Sequence, residues 1–193
     1  MVRVALRIAR RTAASVARGI AAGVLVAGCR GSEPPRVVGA ESAAMPVALA
    51  RPAFILTGTD GKPVNFAART AGMLTFLEFG YTNCPDVCPT TMAKLGQVMR
   101  LLGADANQVQ GLFVTVDPKR DTPQLLAQYV PAFFPTFIGL YGSDQQTASA
   151  AKEFKVYFQA QKPGASGFYT VDHSGPVFAL DRKGRRVCSS SPR

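Results

Sequence analysis

The chain has 193 residues, 47% apolar and 18% charged, which excludes wholesale disorder and leaves length for one domain with a real core plus a leader. Its net charge of +10 sits at the ends: residues 1–28 hold five Arg and no acid, residues 182–193 hold five bases and no acid, and residues 29–181 hold 12 of each sign. A nucleic-acid face needs bases clustered on the folded part, so no nucleic-acid partner is expected.

Residues 1–28 read as an export signal. Arg3, Arg7, Arg10, Arg11 and Arg18 precede the small, apolar run Gly19 to Gly28, which is too short to span a bilayer. The run ends Leu25-Val26-Ala27-Gly28-Cys29, which resembles a bacterial lipobox and makes Cys29 the expected site of lipidation. An ordinary cleaved signal and an Arg-rich organelle transit peptide are the alternatives. The lipoprotein reading places the protein in the bacterial cell envelope, anchored on the outer side of the cytoplasmic membrane. Residues 29–50, rich in Ala, Pro, Ser and Gly, read as a flexible tether.

The folded part is expected over 51–184. Phe54–Thr57 and Val64–Phe66 flank an Asp60-Gly61 turn and predict a hairpin. Met73–Phe79 reads as a buried strand. From Thr90 to Leu102 the apolar residues Met92, Leu95, Val98, Met99 and Leu102 recur at helical spacing. Leu112–Val116 is a second strand. Thr122 and Pro123 signal a helix start, with Leu125, Leu126, Tyr129 and Val130 as its buried face. A short apolar run at Phe137–Leu140, a helix over Gln145–Phe154, flanks at Tyr157-Phe158 and Phe168–Val171, and a strand at Val177–Leu180 complete the order. Strands alternating with helices imply an α/β domain with a partly parallel sheet.

The chemistry concentrates at the first strand-to-helix turn. Cys84 and Cys88 lie four residues apart, between loop and helix start, so both sulfurs can face one point. Helix N-terminal amides there are expected to favour the thiolates. Four cysteines in a chain of this length do not make a disulfide framework. His173 is the single histidine, so any imidazole role falls to it. Two thiolates with one imidazole suit copper better than structural zinc, which wants four ligands. Thiol redox chemistry needs only the cysteine pair and stays open. Asp117, at a strand end, is most simply a turn or cap residue.

The stretch Phe79-Gly80-Tyr81-Thr82-Asn83-Cys84-Pro85-Asp86-Val87-Cys88-Pro89-Thr90-Thr91 resembles the central signature of the Sco family, also called SenC or PrrC. Val116–Pro123, Phe137–Ser143 and Tyr169–Ser174 resemble three further blocks in the same order. The resemblance implies a thioredoxin-like fold, a central mixed sheet flanked by helices, with copper, Cu(I) or Cu(II), held by Cys84, Cys88 and His173. It implies Asp86 and Asp117 as outer groups near the site. It also implies a membrane-tethered copper chaperone for the binuclear copper centre of cytochrome c oxidase subunit II, with that subunit and other copper chaperones as partners. Thiol–disulfide exchange on exported cysteines by the redox pair Cys84 and Cys88 is the enzymatic alternative. Two departures stand out. Glu78 occupies a strand position that suits an apolar or aromatic residue, and the basic stretch 185–193 lacks the period of the family's C-terminal helix, which therefore reads as truncated.

Overall fold

The structure, a computed structural model, describes residues 52–174 and 176–190, without the side chains of 188–190. The leader, the tether and Cys29 lie outside these residues. The first apolar run forms β3 (Leu74–Gly80) and the second forms β4 (Val109–Thr115), which begins before the expected Leu112. They pair in parallel from Leu74 opposite Val109 to Gly80 opposite Thr115. Helix α2 (Val87–Leu102) and a 3-10 turn (Gly103–Gln108) make the crossover between them, as a parallel pair requires. A second crossover through α3 (Pro123–Tyr129) leads to β5 (Ile138–Tyr141), parallel to β4. The hydroxyl of Thr122 accepts from the Leu125 amide at 3.2 Å, the expected N-cap.

The N-terminal hairpin is β1 (Ile55–Gly58) with β2 (Pro63–Asn65), followed by a one-turn α1 (Phe66–Arg69) that the sequence pattern did not announce. Helix α4 (Asp144–Glu153) starts at a Ser143–Gln146 capping box. After it, β6 (Phe158–Ala160) and β7 (Val171–His173) form a separate two-stranded sheet. Then β8 (Val177–Leu180) returns antiparallel beside β3. Part of the stretch read as a basic tail enters the sheet: β9 (Arg186–Ser190) pairs with β8. Arg186 is 5% exposed, its guanidinium 5.3 Å from the Phe154 ring centre. Among the described residues no helix follows β8. The main sheet runs β2-β1-β5-β4-β3-β8-β9.

Each face of this sheet has its own core. Leu77, Phe79, Leu112, Val114 and Leu140 pack toward Phe66 of α1 and Ala150 and Ala151 of α4. Phe113 and Val109, on the other parity of β4, pack toward Met92 and Met99 of α2 and Leu126 of α3. Burying each such large side chain contributes about 1.5–3 kcal/mol. Leu125, expected on the buried face of α3, is 37% exposed, because the short helix turns only Leu126 and Val130 fully inward. Glu78 lies on a central strand, flanked by β4 and β8, and is buried.

Candidate metal centre

The signature turn is built where β3 ends. The Cys84 amide donates to the Tyr81 carbonyl at 3.2 Å, closing a tight turn. Helix α2 then starts at Val87, ahead of the periodic run from Thr90, and takes Cys88 into its first turn, with Cys84 in the loop before it. Pro89 is tolerated there because first-turn amides have no intrahelical partner. Cys88 is fully buried and its amide points at Cys84 Sγ, 3.5 Å away, so the cysteine sulfur receives a free helix N-terminal donor. Gly80 makes room for the other sulfur. A Cβ on it would stand 2.9 Å from Cys88 Sγ and 2.9 Å from the Phe113 ring.

His173 arrives from a different element. It ends β7, opposite Phe158 of β6. The hairpin is closed by Gln161 donating to the Thr170 carbonyl at 2.8 Å and by Ser174 donating to the Tyr157 carbonyl at 2.9 Å. The Tyr81 ring meets the imidazole edge-on, centroids 5.9 Å apart. His173 Nε2 lies 3.5 Å from Cys88 Sγ, and one ligand atom each from Cys84, Cys88 and His173 lie within 4.8 Å of one another. Among the described residues this is the one group of three such side chains that could hold a metal. Beside it opens a cleft of about 350 Å³, bordered by Tyr81, Cys84, Val87, Val171 and His173.

Electrostatics inside the site follow burial. Burial lowers the His173 pKa, which keeps the ring neutral and able to ligate at neutral pH. Burial also pushes the Cys88 thiol well above its ordinary value, and the neighbouring Cys84 sulfur adds to the shift. The expectation that the helix amides favour the thiolate therefore fails for Cys88: desolvation of the charged sulfur outweighs the N-terminal field. A metal must displace that proton. Glu78, 4% exposed, has its pKa raised by burial, with a smaller contribution from Cys84, to about 9, and its Oε2 has no hydrogen-bond partner. It is a neutral acid in the folded protein at pH 7.

The outer aspartates separate. Asp86 is exposed at the N-cap of α2, makes no side-chain cap bond, and borders the cleft. Asp117 is buried beyond Tyr169, whose hydroxyl donates to its Oδ1 at 2.9 Å, while Arg120 Nε donates to its Oδ2. Sequence reasoning missed Asp121. This 1% exposed carboxylate accepts from the Thr82 amide at 3.0 and 3.2 Å, the Thr82 hydroxyl at 2.6 Å and the Thr115 hydroxyl at 2.6 Å. Burial raises its pKa while these bonds oppose the rise. Asp121 and Arg120 stand in the block Val116–Pro123, and their charge just past an apolar strand was the available signal.

Two sulfurs and one imidazole nitrogen form a soft, three-donor set, which copper accepts and structural zinc does not fill. Comparisons agree with that chemistry. The family model SCO1/SenC matches residues 43–192. The chain is 35% identical over 133 residues to an SCO2-like protein of Rickettsia prowazekii, covering 68% of this chain and 64% of that one. It is 40% identical over 133 residues to the mitochondrial SCO2 homolog of Mus musculus, covering 68% and 52%. The matched part thus spans less than two thirds of these relatives' length. The copper-bound structure of Bradyrhizobium japonicum ScoI is similar with a TM-score of 0.67 at 38% identity, over 72% of this chain and 87% of that one. The fold is thioredoxin-like, as the resemblance implied. The chain belongs to the SCO1/SenC family.

Proposed function

We propose that this chain binds copper through Cys84 Sγ, Cys88 Sγ and His173 Nε2 and serves as a membrane-tethered copper chaperone in cytochrome c oxidase assembly, with the binuclear copper centre of subunit II as the recipient. The observation that carries the reading is the convergence of three soft-metal donors from two separate elements to within 4.8 Å. Cys84 borders the cleft, whereas Cys88 is fully buried against Gly80. Cargo copper would exchange with an acceptor's ligand on the Cys84 side, where the cleft opens. The tether would be a lipid on Cys29. No described helix is long and apolar enough to cross a membrane.

The test is anaerobic Cu(I) titration of residues 30–193, wild type beside His173→Ala, with circular dichroism to monitor the fold. One equivalent bound by wild type and an affinity loss of at least about tenfold in the variant, at unchanged dichroism, is expected. Equal affinity in a folded variant would sink the three-ligand site.

A second reading rests on the two free thiols, Cys84 and Cys88, at the end of a thioredoxin-like β3–α2 unit. In it the Cys84 thiolate attacks a target disulfide and releases one target thiolate. Cys88, once deprotonated, then displaces the second, leaving a Cys84–Cys88 disulfide and a reduced dithiol. Two electrons pass to the target, and the two thiol protons end on its sulfurs. Trapping a mixed disulfide with Cys88→Ser, in a reaction indifferent to His173→Ala, would favour this reading over the first.

A further inference from the structure

One short loop grips both ligand-bearing segments. After β4, the chain turns at Val116–Asp121, with Arg120 and Asp121 each donating a backbone amide to the Asp117 carbonyl, at 3.1 and 3.0 Å. On one side, Asp121 holds Thr82, just ahead of Cys84. On the other, Arg120 holds Tyr169, just ahead of β7 and His173. The Arg120 grip has three parts. Its Nη1 donates to the Tyr169 carbonyl at 2.8 Å. Its Nε pairs with Asp117, whose other oxygen takes the Tyr169 hydroxyl at 2.9 Å. Its guanidinium carbon lies 3.6 Å from the Tyr169 ring centre and 5.6 Å from that of Tyr81, the ring against which His173 rests.

We propose that Arg120, with Asp117, is a positioning residue that presets the His173 imidazole against the two cysteine sulfurs by clamping Tyr169 in the loop that leads into β7. The inference deepens the copper reading and rests on it for its affinity arm only. A two-stranded sheet standing alone has little stability of its own, so the imbalance between a firm cysteine turn and a weak hairpin must be corrected from outside. The correction needs a planar cation that can donate to a carbonyl, pair with a carboxylate and stack on a ring together. A guanidinium does this and an ammonium does not. Ordering the hairpin in the metal-free protein removes an entropic cost from metal binding, which is what outer groups contribute to an ordered site.

The experiment compares wild type, Arg120→Lys and Tyr169→Phe, alone and combined with His173→Ala. In the metal-free proteins, hydrogen exchange of the 168–174 amides is expected to quicken at least about fivefold in Arg120→Lys, while the α2 amides keep wild-type protection. Cu(I) affinity is expected to fall about tenfold in Arg120→Lys, within the range for outer-shell partners. It falls less in Tyr169→Phe, which leaves the guanidinium in place. In the His173→Ala background, Arg120→Lys is expected to change Cu(I) affinity no further, because the clamp acts only through the imidazole. Equal losses in both backgrounds would reduce Arg120 to a general structural role and overturn the proposal. Unchanged exchange at 168–174 overturns it whether or not copper binds. A wild type that fails to bind copper overturns the functional reading instead, and the exchange comparison still decides the clamp.

Discussion

The two halves of the candidate site are held by different means. Cys84 and Cys88 sit where a central strand hands over to a 16-residue helix, with one sulfur fully buried and the turn locked by a buried carboxylate. His173 is only partly buried and rides on a three-residue strand of a separate two-stranded sheet. The sulfur pair is thus fixed by the main core, and the imbalance is met by side-chain contacts from the loop after β4.

Removing the lock on the cysteine side should have the largest effect. Asp121→Ala strands the Thr82 and Thr115 donors in the interior, and a loss of about 3 kcal/mol in urea unfolding is expected. A loss below about 1 kcal/mol would mean that the cysteine turn is not held as tightly as the contrast requires. Next comes Gly80→Ala, which drives a methyl group into Cys88 Sγ and Phe113. It should cost about 2 kcal/mol by overpacking and weaken Cu(I) binding. Retained affinity at wild-type stability would show that the strand end yields.

Glu78→Gln sharpens the contrast through pH. The folded pKa of about 9 lies above the ordinary 4.5, so between these values the folded state holds a proton that the unfolded state has lost. Wild-type stability should therefore fall as pH rises through this window, by at most about 1.4 kcal/mol per unit from this group. Glu78→Gln removes that slope. Matched wild-type and variant profiles from pH 5 to 9 would show that the carboxyl finds a partner when it ionises.

Much of the scaffold was legible because its cues are local. The apolar run of β3, the spacing of Met92, Met99 and Leu102, and the Thr122-Pro123 start each act within a few residues, and the elements formed there. The errors cluster where distant chain decides. β9 formed because β8 offered a free edge. Glu78 was recognised as out of place, but only the strand order buried it between β4 and β8. The raised Cys88 pKa reverses the local helix-amide argument, since desolvation depends on everything packed around the sulfur.

The sequence by itself determined the α/β alternation, the cysteine pair at a strand-to-helix turn, the single available imidazole and the charge-neutral domain between two basic ends. Only the tertiary structure decided that His173 reaches Cys88, that Asp121 ties down the cysteine turn and that Arg120 grips the histidine hairpin. The physical reason is range. Period, capping and residue chemistry are written in neighbouring positions, whereas a metal site and its braces join segments of chain that only the folded sheet brings within hydrogen-bond distance.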